Sequence, residues 1–292
     1  MEQNILKKFA ALGADVICQC KTITQPLGFT PYFHNHDGCE ILLILGGSLD
    51  FYTEFGGARL ERGDLVCINE YEFHRADVVT KGQYDRIVVN VRHNYLARIS
   101  TPRTDFTACF QQNPQNPIKM THLSEEKIAE LSGYAQALQE SLEQKKIGDE
   151  LVSDAFLKLI LVMIVRQFRK QEMPGRTNIV PWLVAETFSY IEDHLTEEIT
   201  LKKLEEHVHH NGTYISRCFK QITGITLQQF IIAKKITLSC RLLREGNAPF
   251  DVCHMTGFNN YSNYSRTFSK QMGISPKKYQ TESREKSHFA KK

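Results

Sequence analysis

The sequence predicts an α+β chain of two domains, β-rich in its first half and helical in its last third. Three observations carry this. Residues 20–95 alternate polar and apolar with period two between glycine-bearing turns, the pattern of short strands with one buried face. From Leu123 the apolar period lengthens to that of a helix. And one stretch occurs twice at a fixed offset: Asn211–Thr226 reads NGTYISRCFKQITGIT and Asn260–Ser275 reads NYSNYSRTFSKQMGIS.

At 292 residues the chain can hold two domains, each with its own core. Apolar content of 41% and charged content of 24% are those of an ordinary globular protein, which excludes a disordered or fibrous chain. The opening MEQNILKKFAALGADV lacks the apolar core of a secretory signal. The apolar run Leu159–Val165 falls far short of the ~20 residues that span a bilayer, so a cytoplasmic protein with no membrane partner is expected. The 8 cysteines form no CxxC pair and sit in apolar patterns, as reduced packing residues do.

Strands are expected at Glu40–Leu45, Ser48–Phe55, Asp64–Ile68 and Arg86–Val91, with turns at Gly46-Gly47, Gly56-Gly57, Glu61-Arg62-Gly63 and Thr80-Lys81-Gly82. Many short strands at even spacing predict a sandwich or barrel. Two helices follow, Ser124–Lys145, capped by Ser124, and Asp149–Glu172. Met173-Pro174-Gly175 ends the second and opens a linker that runs to about Asn178. Beyond it come Pro181–Leu195, Leu201–Val208, the first repeat helix, Leu227–Leu243, Phe250–Gly257, the second repeat helix and Pro276–Ser283.

Each repeat opens on Asn, a good helix N-cap, and closes on Gly, the usual residue just past a helix end. Ile215, Phe219 and Ile222 share one face of the first copy, and Tyr264, Phe268 and Gln271 hold the same places in the second. Phe219 and Phe268 are expected in the core, with Arg217 and Arg266 pointing away. Each copy follows a short helix after a tight connection, which makes two helix-turn-helix units joined by Leu227–Leu243. Charge supports a polyanion partner for this end: residues 199–292 hold 16 Lys+Arg against 6 Asp+Glu, while the rest of the chain is net acidic.

The C-terminal hundred residues resemble the AraC/XylS family of bacterial transcription activators. The matching residues are Ile215-Ser216-Arg217, Phe219-Lys220, Gly224, Gly257-Phe258, Ser265-Arg266, Phe268, Gly273-Ile274-Ser275-Pro276 and Tyr279. The resemblance implies a seven-helix domain whose two recognition helices enter successive major grooves of double-stranded promoter DNA. Carried over by position, base contacts fall to Thr213, Tyr214, Ser216 and Arg217, and to Tyr261, Ser262, Asn263 and Arg266. Lys220 and Lys270 would meet phosphate. The chain departs from the pattern at Glu205, where alanine is usual, at His210, where an apolar residue is usual, and at Lys235 in place of arginine. The first unit is therefore expected to pack less tightly.

His34, His36, Glu40 and His74 form an HxHxxxE pattern with a later histidine, which resembles the metal-site pattern of cupins, small β-barrels. On one strand, positions 34, 36 and 40 share a face. The expectation is a polar lining for a small-molecule effector, a sugar or other metabolite, with no cofactor; a divalent metal at these four residues, and a metal-responsive regulator, is the alternative. A cupin metalloenzyme with a basic accessory domain is the weaker alternative, so no enzyme activity is expected. Leu131, Tyr134, Leu138, Phe156, Leu159, Ile160 and Met163 give the helices after the barrel an apolar face, which packs on the barrel or, as the family implies, pairs two copies of the chain. The expected plan is a cupin-like barrel at 1–120, a helical dimerisation segment at 121–173, a linker at 174–179 and the DNA-binding domain at 180–292. The family also implies RNA polymerase as a partner at the promoter.

Overall fold

The computed structural model describes residues 15–24, 32–111, 118–170 and 178–289. The N-terminal stretch before Asp15 and most of the expected linker lie outside the described residues. Two compact units are present: Leu12–Pro31 with Asn35–Val180, and Pro181–Lys292 with the short segment Tyr32–His34.

Among the described residues the first unit holds eight strands: β1 (Val16–Thr24), β2 (Cys39–Gly46), β3 (Ser48–Thr53), β4 (Gly57–Glu61), β5 (Asp64–Ile68), β6 (His74–Val78), β7 (Gln83–Val91) and β8 (Met120–His122). They form two antiparallel sheets, ordered β1-β7-β2-β5-β8 and β4-β3-β6. β2, the centre of the larger sheet, shows why its sequence is an unbroken ILLIL. Ile41 and Leu43 pack with Leu65, Cys67, Ile87 and Val89 and with helical Leu131, Leu138 and Ile160. Leu42 and Ile44, pointing the other way, meet Leu49, Phe51 and Leu60 of the smaller sheet. A strand covered on both faces has no solvent side to carry polar residues. Glu40 shares the parity of Leu42 and Ile44, so it sits where the space between the sheets ends.

Helix α1 (His93–Ile99) and a single 3-10 turn at Thr107–Cys109 follow the larger sheet, then α2 (Glu125–Gln144) and α3 (Asp149–Lys170). Ser124 caps α2 as expected, its hydroxyl accepting from the Lys127 N–H. The apolar residues of these helices divide between two faces. Leu131, Leu138 and Ile160 are fully buried, whereas Leu159 is 45% exposed, and Leu151 and Val152 of α3 and Ile147 just before it are exposed as well. The cysteines form no disulfide and are mostly buried; burial pushes the Cys39 and Cys109 thiols up to about 12, which keeps them protonated.

The second unit is helical: α4 (Trp182–Asp193), α5 (Leu201–Val208), α6 (Gly212–Thr223), α7 (Leu227–Arg244), α8 (Pro249–Met255), α9 (Tyr261–Met272) and α10 (Pro276–Phe289). Its core around α6 is aromatic. The rings of Phe188, Phe219 and Phe230 lie 5.1–5.4 Å apart at tilts near 60°, the edge-to-face packing that adds to plain burial. A fourth ring arrives from far away in sequence. Phe33, fully buried, stacks on Phe188 at 5.6 Å, and its backbone N–H donates to the Thr223 carbonyl at 2.8 Å. No periodicity announces this, because an isolated segment of three residues has none. No helix among the described residues is long and apolar enough to cross a membrane.

Candidate nucleic-acid interface and ligand site

The two repeat copies fold as capped helices. The Asn211 side-chain oxygen accepts from the Thr213 N–H at 2.9 Å, and that of Asn260 accepts from Asn263 at 3.0 Å. Gly224 and Gly273 end them with φ of 74° and 78°, a left-handed turn that a Cβ would oppose. In α6 the buried positions are Gly212, Ile215, Phe219 and Thr223; in α9 they are Tyr264 and Phe268. Thr223 rather than Ile222 closes the first face, because its hydroxyl is satisfied internally by donating to the Phe219 carbonyl.

That burial leaves one solvent face on each helix. Thr213, Tyr214, Arg217 and Lys220 are exposed on α6, with Ser216 half-buried, and Tyr261, Ser262, Asn263, Arg266 and Lys270 are exposed on α9. The Arg217 guanidinium lies over the Tyr214 ring, 5.3 Å from its centroid. Exposed Trp182 and His210 extend this row, His210 meeting the rings of both Trp182 and Tyr214. The sequence reading passed over Trp182, since nothing in its spacing marks the first residue of α4 as lying beside α6.

The expectation of a looser first unit is corrected at Glu205 and His210. Glu205 is half-buried and its carboxylate accepts from the Gly212 N–H in the first turn of α6, a negative charge placed at the positive end of a helix. Gly212 makes the room: a Cβ there would stand 2.9 Å from the Glu205 oxygen. The two residues form a matched cap. His210 is exposed on the surface, so no apolar contact is lost there.

In the first unit, His36, Glu40 and His74 converge. Their ligand-capable atoms lie within 4.8 Å of one another. The His36 Nδ1 meets the Gly38 carbonyl at 2.8 Å and the His74 Nδ1 meets the Glu72 carbonyl at 3.0 Å. A carbonyl only accepts, so both Nδ1 atoms carry hydrogen and both Nε2 atoms turn toward Glu40, at 2.9 and 4.0 Å. Imidazoles held from behind by N–H to carbonyl bonds, beside a carboxylate, fit a divalent transition metal. They equally fit a ligand rich in hydroxyls. His36 and His74 meet edge to face at 5.0 Å, and Phe51 covers His74.

The loops carrying the histidines are tied together. Tyr71, with φ of 62°, donates its N–H to the His36 carbonyl, receives the Asn35 amide on its own carbonyl, and donates its hydroxyl to Asp37 at 2.6 Å. A tyrosine held in left-handed backbone is strained, and here three hydrogen bonds hold it. His34 does not join the cluster. It belongs with the other unit, and its Nδ1 meets the Tyr32 carbonyl. The shared-parity expectation fails because β2 begins only at Cys39, and residues before it do not alternate as a strand does.

Two family descriptions match: "Helix-turn-helix domain" at residues 204–282 and "AraC-like ligand binding domain" at residues 24–161. The chain is similar to AraC-type regulators in both of its parts. The chain is 36% identical over 94 residues to the HTH-type transcriptional regulator YobQ of Bacillus subtilis, covering 32% of its length and 39% of that protein. It is 29% identical over 106 residues to the multiple antibiotic resistance protein MarA of Escherichia coli, covering 36% of the chain and 84% of MarA. Against YobQ and two further regulators, the chain spans about two fifths of the relative's length. A crystal structure of ToxT from Vibrio cholerae with an unsaturated fatty acid bound matches at 13% identity and a TM-score of 0.38, covering 96% and 97% of the two chains.

Proposed function

We propose that this chain is a transcription regulator that reads double-stranded promoter DNA through α6 and α9 under the control of a small effector bound in its β-rich unit. The observation that carries the reading is the matched pair of capped helices, each presenting an exposed arginine opposite a buried phenylalanine. Base edges are read by Thr213, Tyr214, Ser216 and Arg217, and by Tyr261, Ser262, Asn263 and Arg266, while Lys220 and Lys270 neutralise phosphate. Selection of bound duplexes from a randomised library tests it: a consensus in two parts, about one helical turn apart, is expected. Enrichment of no sequence overturns the reading. The same similarity to AraC-type regulators supports RNA polymerase as the partner at the promoter and the cytoplasm as the place of action.

The exposed apolar residues Leu151, Val152 and Leu159 of α3, with Ile147 just before it, support pairing of two copies through this helix. Leu151→Glu with Leu159→Glu is expected to convert a dimer to monomer in sedimentation velocity; a parent that is monomeric at the same concentration rules this out.

The effector site is His36, Glu40 and His74. A second reading, favoured by the carbonyl-anchored imidazoles, makes a divalent transition metal the effector. Purified protein would then carry near-stoichiometric metal, and His36→Ala would lose both the metal and its thermal stabilisation. Metal-free protein that added zinc or manganese leaves at an unchanged Tm returns the site to an organic ligand. Metal with measurable turnover of a substrate would instead revive the metalloenzyme alternative.

A further inference from the structure

Lys235 is a positively charged side chain buried in the middle of α7, the helix joining the two helix-turn-helix units, and only 8% of it is exposed. Its ammonium donates to the Glu197 carbonyl at 3.1 Å and to the Gly257 carbonyl at 2.9 Å. Glu197 lies in the connection from α4 to α5, which leads into the first unit, and Gly257 lies in the turn of the second. Beside them the two connections touch: a Cβ on Gly257, whose φ is +69°, would stand 2.2 Å from the Thr196 carbonyl oxygen and 2.9 Å from the lysine nitrogen. The Phe258 ring lies under the ammonium, 5.8 Å from its centroid. Burial holds the Lys235 ammonium below its ordinary range, opposed by the Glu198 charge.

Two carbonyl oxygens, both negative ends of dipoles, thus converge on the ammonium where two turns meet, and carbonyls brought together without a donor repel. One ammonium, with three donors and no acceptor, is the group that lets them close. We infer that Lys235 is a positioning residue: by clasping the two connections it fixes the separation and orientation of α6 and α9, and so the spacing between half-sites that the chain accepts. The inference rests on the DNA-reading function proposed above. Its physical basis is that one inserted base pair both shifts and rotates a half-site, by roughly a tenth of a helical turn, which a rigid pair of recognition helices cannot follow.

The test uses the full chain and duplexes from the library selection, with the two consensus halves moved apart or together by one and two base pairs. The parent and Lys235→Arg, which keeps the charge and its donors, are expected to lose about tenfold in affinity per displaced base pair, the scale of one mismatched position. Lys235→Met is expected to bind the optimal duplex more weakly and to lose less than about threefold on a one-pair displacement. A uniform fall at every spacing, with the parent's steep profile intact, marks a merely structural lysine and overturns the inference. Should Lys235→Met fail to fold, Gly257→Ala, which keeps the lysine but crowds both its ammonium and the Thr196 carbonyl, is read in the same series, and an unchanged profile overturns the inference equally. If the parent selects no two-part duplex, the DNA-reading function fails and takes the clasp with it; a two-part consensus with unaltered spacing profiles refutes the clasp alone.

Discussion

Replacing Phe219 by alanine lowers the stability of the C-terminal unit by about 3–5 kcal/mol, the usual cost of emptying a fully packed phenylalanine site. The site is fully buried, and its ring stands edge to face with Phe188 and Phe230. The surroundings resist collapse into the space, because Phe33 stacks on Phe188 and is itself tied by backbone to Thr223. The measurement is denaturant unfolding followed by fluorescence of Trp182, the single tryptophan, which opens α4 in the same unit. A midpoint shift worth less than about 1 kcal/mol would show that the aromatic core is not what supports α6. Binding of DNA should fall with the folded fraction, and the loss should not depend on sequence.

Removing the two arginines gives the opposite signature. Arg217→Ala and Arg266→Ala each cost about 1–3 kcal/mol at a selected duplex, with relaxed preference only in the half-site each one reads. Their effects add in the double variant, since they lie on separate helices with no partner in common. Unfolding midpoints stay where they were, because both side chains are exposed. Lys220→Ala, by contrast, weakens binding to every sequence alike and lowers the salt slope by about one. Arginine variants that bind their duplex like the parent would mean that α6 and α9 do not enter grooves. The stacking of Arg217 on Tyr214 couples those two residues, so Tyr214→Ala is expected to weaken the same half-site as Arg217→Ala.

The helical end of the chain was legible to within a few residues, because caps, glycine stops and apolar spacing all agree there. Asn211, Gly224, Asn260 and Gly273 each act locally, and local chemistry is what a sequence prints. The β-rich unit was legible at its centre and not at its margins. β2, β3, β5 and β7 announced themselves; β6 did not, since it opens with buried His74 and Arg75 instead of an alternating apolar pair. The cluster of His36, Glu40 and His74 was legible with one residue too many. Parity placed His36 with Glu40 on a strand that begins only at Cys39, and swept in His34 for the same reason.

Taken alone, the sequence determined the two-part plan, the repeated capped helix and which of its side chains face solvent, because all of these follow from spacing within a few turns of one helix. Only the tertiary structure decided what three residues do. Glu205 became a cap once α5 was placed against Gly212, Phe33 became core once its segment met Phe188, and Lys235 became a clasp once two distant turns closed on its ammonium. Each role depends on a partner at a sequence distance that no local period spans, and a buried charge or an inserted ring acquires meaning only from what surrounds it.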